Sequence, residues 1–133
     1  MSTLKMEGAW TALITPFTDS GEIDWEGFEK NLEFQIDQGI SGVLPVGTTG
    51  ESPTLTWDEH EAVIERAIKY VNKRTGVLAG TGSNSTDEAL AGSRHARDLG
   101  ADAVLLVDCY YNGPSSMELR DHYHGAVAAA VPE

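Results

Sequence analysis

Two threonines stand side by side between glycines in the run Gly47-Thr48-Thr49-Gly50, followed by Glu51 and Ser52. Paired hydroxyls and converging backbone amides in so short a span suit the close approach of a small anion. Glycine lets the backbone turn towards the ligand, and threonine adds donors without adding charge. No lysine follows, so the run is not a phosphate loop of the Walker type. Three further segments have a similar character: Thr15-Pro16-Phe17, Gly80-Thr81-Gly82-Ser83-Asn84 and Asp108-Cys109-Tyr110-Tyr111-Asn112. Taken singly, a glycine-threonine turn is more often only a turn.

Other chemistries have less support. Lys5 precedes the first strand pattern, Lys30 falls in the first helical pattern, and Lys69 and Lys73 close the second. All are expected to be solvated, with no desolvation to make an amine nucleophilic. His60, His95, His122 and His124 lie in helical patterns as surface or packing residues. No pair of them has ligand spacing with a third donor, so neither a metal nor another cofactor is expected. Cys109 is the single cysteine and is read as an inert small residue at a strand end.

The elements that must hold these segments repeat along the chain. Short, nearly continuous apolar runs at Trp10–Ile14, Gly42–Val46, Val77–Ala79 and Ala103–Val107 have the character of parallel strands buried on both faces. Each chemically interesting segment follows one of them, where ligands meet parallel sheets. Between the strands lie helical patterns with clear starts. Thr56 precedes Glu59, Ser85 precedes Glu88 and Ser115 precedes Glu118 by three residues, the spacing of a capping box. The first helix is predicted to start at Asp24, with Ile23 and Phe28 closing a hydrophobic staple across it. Gly39 and Gly100 sit where helices should end at positive φ. Four βα units in tandem make an α/β protein with a parallel sheet. Pattern alone leaves two architectures open: a doubly wound sheet, or half of an eight-stranded barrel, whose full form needs ~250 residues.

Composition narrows the partners. The 133 residues suffice for one compact domain, read as residues 1–133, and are too few for two. Nine basic residues against twenty-one acidic ones leave a formal charge of −12, which repels nucleic acid and anionic lipid. The longest apolar run, Ala126–Val131, is far too short to span a membrane, and residues 1–20 lack a secretion signal. A cytoplasmic location is expected.

In combination the loop segments resemble one group of proteins. Thr15-Pro16-Phe17, Gly47 to Ser52, Ala79-Gly80-Thr81-Gly82 and Tyr110-Tyr111-Asn112 come in the order and spacing of the dihydrodipicolinate synthase and N-acetylneuraminate lyase superfamily. The resemblance runs from about Gly8 to the end of the chain. The Gly-Thr-Thr-Gly-Glu form with a later Tyr-Tyr-Asn is most similar to the dihydrodipicolinate synthase branch. It implies the N-terminal half of a (β/α)8 TIM barrel. The implied activity is a pyruvate-dependent Schiff-base lyase that joins pyruvate, or a similar 2-keto acid, to aspartate semialdehyde in lysine biosynthesis.

Carried over by motif, Thr49 would hold the pyruvate carboxylate through its hydroxyl and amide, within a turn made by Gly47 and Gly50. Thr48 would sit in a hydroxyl relay that moves protons, and Tyr111 would complete the relay in a neighbouring subunit. Glu51, Gly80, Thr81, Gly82 and Tyr110 would support the pocket, although the tyrosine pair also suits simple interface packing. Asp108-Cys109 departs from the family's usual Thr-Pro. The family's Schiff-base lysine comes from a sixth strand, which has no counterpart here, so the chain by itself is expected to be inactive.

A half barrel would expose an apolar face and two strand edges, so a homo-oligomer or a missing C-terminal half-barrel is the expected partner. Competing readings are a sialic-acid or 2-keto-3-deoxy sugar-acid lyase, a non-catalytic half-barrel binding or assembly module, and an open receiver-like domain. The last wants acidic residues where Thr15-Pro16-Phe17 and Gly80-Thr81-Gly82 stand.

Overall fold

The computed structural model describes residues 5–131, so the outermost residues of the expected domain, 1–4 and 132–133, lie outside the described residues. Four strands pair in parallel and in chain order: β1 (Trp10–Ala12), β2 (Gly42–Leu44), β3 (Gly76–Gly80) and β4 (Ala103–Leu105). Parallel neighbours need crossovers, and helices supply them. They are α1 (Trp25–Asp37), α2 (Trp57–Val71) and α3 (Thr86–Leu99). The last helix is composite: α4 (Ser116–Glu118) and α5 (Gly125–Ala130) flank a π-helical turn over Leu119–His124.

Local chemistry accounts for the helix starts. Asp24 accepts the Gly27 amide at 2.9 Å, and Ile23 and Phe28 are both buried across that turn. Thr56 and Glu59 exchange reciprocal bonds of 2.8 and 3.3 Å, as do Ser115 and Glu118 at 2.9 and 3.3 Å. The box expected at Ser85 forms by half. Ser85 accepts the Glu88 amide at 3.4 Å, but the Glu88 carboxylate takes the Ser83 hydroxyl at 2.5 Å instead of reaching back. Gly39 and Gly100 have φ of 78° and 93°, as their helix-end positions require.

Strand lengths differ from the expectation. β2 stops at Leu44 because Pro45 cannot donate to a ladder and Val46 turns into the left-handed region. β1 and β4 are likewise shorter than their apolar runs, whereas β3 extends by one residue at each end. The last helix departs too. Leu119, Tyr123 and Val127 recur every four residues, slightly longer than an α-helical turn. The wider π turn between them keeps Tyr123 and Val127 together in a buried cluster with Ala89.

Helices cover one face of the sheet only. Leu13, Val43, Val77 and Ala79 meet Phe28, Leu32, Val63, Ile64 and Ala67 in the main core. Each large aliphatic or aromatic side chain so buried contributes about 1.5–3 kcal/mol. The other face carries Ile14, Leu105 and Val107, exposed by 55%, 42% and 43%. At its lower end the Trp10 indole lies across Gly42 and Gly76, where a Cβ would come within 2.2 and 2.5 Å of the ring. A doubly wound sheet would have helices over this face. The arrangement is half of a barrel, with its interior side uncovered.

Candidate active site

The segment after β2 is shaped by its backbone. Val46 has φ of 57° and Glu51 has φ of 61°, so left-handed residues bracket the turn. A β-branched residue there is strained, at a cost on the order of 1–3 kcal/mol. Between them Gly47 is extended, and Thr48–Gly50 form one 3-10 turn, closed by Gly50 N–H to Gly47 O at 3.0 Å. Ser52–Thr54 form a second such turn. Two buried contacts hold the first turn in place. The Thr15 hydroxyl, at the end of the first apolar run, donates to Gly50 O at 2.7 Å. The Val46 carbonyl sits so close to Gly80 that a Cβ there would approach it to 2.2 Å. Thr48 and Thr49 are exposed, and among the described residues neither hydroxyl has a hydrogen-bond partner.

Part of this segment borders a crevice of about 700 Å³ at the carboxyl ends of β2, β3 and β4. Gly47, Thr48, Gly80, Gly82 and Tyr110 line it. Thr49, Gly50, Glu51, Thr81 and Tyr111 do not. Thr81 is fully buried and shares a 2.8 Å hydrogen bond with Ser93 of α3, so it ties helix to strand behind the crevice. Glu51 braces the loop through its carbonyl, which takes the amide and the hydroxyl of Thr54, both at 2.9 Å. Tyr111 projects outward, 86% exposed.

The segment after β4 is held from the side. The Asn84 carboxamide oxygen accepts the amides of Tyr110 and Tyr111 at 2.9 and 3.0 Å. The Tyr123 hydroxyl accepts the Ser83 amide at 3.0 Å and donates to Val107 O at 2.9 Å. Burial pushes the Tyr123 phenol up from its ordinary pKa. Asp108 meets His124 at 2.6 Å on the exposed rim.

His60, expected as a surface or packing residue, lines the crevice from α2. It is 2% exposed, packs against the Trp57 ring at 4.9 Å, and has no hydrogen-bond partner at either ring nitrogen among the described residues. Burial lowers its pKa from 6.5 to about 4, which keeps it neutral. Glu88, Ser83 and Asn84 line the same hollow.

The spacing that could have revealed His60 is its register with Val63, Ile64 and Ala67 on the buried stripe of α2. Asn84 sat in a recognised loop, but nothing local marks its reach to Tyr110. Among the described residues no lysine lines the crevice: Lys30 pairs with Glu26 at 2.5 Å, Lys69 with Glu65, and Lys73 with Asp102 at 3.1 Å. Among the described residues no group of three or more His, Cys, Asp or Glu side chains is placed to hold a metal ion. No helix among them is long and apolar enough to cross a membrane.

Known proteins share this arrangement. The model of the Dihydrodipicolinate synthetase family matches residues 5–132. A 4-hydroxy-tetrahydrodipicolinate synthase of Methanococcus maripaludis (strain C7 / ATCC BAA-1331) is 54% identical over 126 residues, which are 95% of this chain and 43% of that protein. The crystal structure of the chloride-inhibited dihydrodipicolinate synthase of Acinetobacter baumannii complexed with pyruvate superposes with a TM-score of 0.92. Its identity is 45%, over 96% of this chain and 44% of that one. The synthase of Cyanidioschyzon merolae with lysine bound gives 0.87 at 38% identity, over 92% of this chain and 42% of that one. The chain thus spans less than half the length of the relatives it matches and corresponds to the N-terminal half of their barrel. It belongs to the dihydrodipicolinate synthetase family, whose members are lyases.

Proposed function

We propose that this chain is the half of a 4-hydroxy-tetrahydrodipicolinate synthase-like lyase that receives the carboxylate of pyruvate. The reading rests on the Thr48–Gly50 turn, two free hydroxyls on a backbone held from beneath, of which Thr48 lines the crevice and Thr49 stands beside it in the chain. A carboxylate approaching this turn meets hydroxyl and amide donors without a counter-charge, which gives orientation as well as binding. Thr49 supplies the hydroxyl and amide. Thr48 passes protons as the imine forms and resolves, and Tyr111 extends the relay into a neighbouring subunit. The Acinetobacter relative, solved with pyruvate, supports the ligand, and the relatives' name supports a place in lysine biosynthesis; aspartate semialdehyde as the second substrate and a cytoplasmic location rest on the resemblance of the loop motifs alone.

The imine itself needs an amine, and among the described residues no lysine borders the crevice. The rest of the family's barrel supplies it, and the same segment covers the apolar face around Ile14, Leu105 and Val107; a second copy of this chain could cover that face but not supply the amine. Borohydride reduction with pyruvate, followed by intact mass, tests the division of labour. The isolated chain is expected to gain no adduct, and a trapped adduct on it overturns the assignment. Backbone resonances of Thr48 to Gly50 should shift on adding pyruvate in the native chain and not in Thr49→Val. Light scattering tests the uncovered face, and a stable monomer at micromolar concentration counts against the need for a covering partner.

The hollow beside His60 favours a second ligand. The Glu88 carboxylate and the Asn84 amide beside the His60 ring together suit an amino acid carrying both charges, as the lysine of the Cyanidioschyzon relative does. Calorimetric titration with lysine tests this, and equal heats from native protein and Glu88→Gln would reject it.

A further inference from the structure

The segment bearing Tyr110 and Tyr111 has little structure of its own. It follows a three-residue strand, its side chains are 61% and 86% exposed, and β4 is the edge of the described sheet. Something else must aim it. Two polar side chains from neighbouring elements converge there. Asn84, in the segment after β3, takes both tyrosine amides on one oxygen, and its own carbonyl accepts Asn112 Nδ2 at 3.5 Å.

Asn84 in turn follows Ser83, whose amide is held by the Tyr123 hydroxyl, and that hydroxyl also grips Val107 O at the root of the tyrosine segment. Tyr123 is 2% exposed, so this link is the buried one. The π turn gives Tyr123 its place, closed by Gly125 N–H to Arg120 O, and a Cβ at Gly125 would press to 2.7 Å on that carbonyl.

We propose that Asn84 and Tyr123 are the positioning residues of the tyrosine pair. Tyr123 fixes the spacing between the segments after β3 and β4, and Asn84 converts that spacing into the direction in which Tyr111 leaves the molecule. This rests on the reading of Tyr111 as a relay residue, but its geometry can be tested without any keto acid.

Uniform 15N labelling of tyrosine in the full chain gives four backbone amides: Tyr70, Tyr110, Tyr111 and Tyr123. Losing one hydrogen bond to an amide should speed its exchange with solvent by roughly two- to tenfold. Asn84→Ala should speed Tyr110 and Tyr111 by that factor and leave Tyr70 unchanged. Asn84→Asp, which keeps the accepting oxygen, should restore the native rates. Tyr123→Phe, which removes only the hydroxyl, should speed the same two amides, and the double variant should go no further than the larger single effect. Unchanged Tyr110 and Tyr111 exchange in Asn84→Ala overturns the proposal even if Tyr123→Phe does not fold. Effects that multiply in the double variant overturn the link between the two residues. A failure of the relay reading would show separately, as turnover of the completed barrel that Tyr111→Phe leaves intact.

Discussion

The segments after β2 and β4 border the same crevice and are built in opposite ways. After β2 the chain is held at backbone level by buried contacts: Thr15 on Gly50, Val46 against Gly80, and left-handed residues at both ends. After β4 the chain is exposed and is held by side chains reaching over from other elements. A site that must meet a small ligand in one orientation gains from the first construction. A residue that must reach a partner surface gains from the second, since its segment can be aimed from outside and can adjust on contact.

Breaking the rigid side should be costly. Gly80→Ala places a methyl against the Val46 carbonyl with no flexible group to yield, and should destabilise by about 3 kcal/mol or more, read from the urea midpoint. A neutral effect would mean that the segment after β2 is not locked to β3.

His60 lies beneath the same segment. Its folded pKa, about 4, is below the unfolded 6.5, so the unfolded chain binds the proton first. Its contribution is therefore complete above pH 6.5 and is lost as pH falls from 6.5 to 4, by on the order of 3 kcal/mol. His60→Phe should flatten that part of the stability profile, measured by chemical denaturation at several pH values.

Thr15→Val keeps the volume and removes the donor from Gly50. It should cost about 1–3 kcal/mol and weaken any pyruvate-induced shift at Thr49. At Val46 the usual order of residues should invert. Val46→Gly should be more stable than Val46→Ala by about 1 kcal/mol, because only glycine occupies φ of 57° without strain. The smallest effect belongs to the other segment. Asp108→Ala removes an exposed pair with His124 and should change the urea midpoint by no more than ~0.5 kcal/mol. A large loss there would erase the contrast between the two constructions.

Much of this was legible in advance because it is local. Asp24, Thr56 and Ser115 start helices through contacts three residues away, and Gly39 and Gly100 end them through a single backbone angle. The apolar runs marked the strands, and the motifs marked the segments after them. Ser85 failed by half because the Glu88 carboxylate takes the hydroxyl of Ser83, five residues away, in a loop whose shape no spacing encodes.

What residue order determined by itself is the succession of elements and the chemical types at each strand exit, since these depend on near neighbours and on periodicity. Tertiary structure alone decided that helices cover one face, that Thr48 lines the crevice while Thr81 turns away into α3, and that His60, Asn84 and Tyr123 join the site. Those facts depend on pairs such as Thr15 with Gly50 or Ser83 with Tyr123, separated by 35 and 40 residues. Contacts at such separations arise only when the packed sheet brings the strand ends together.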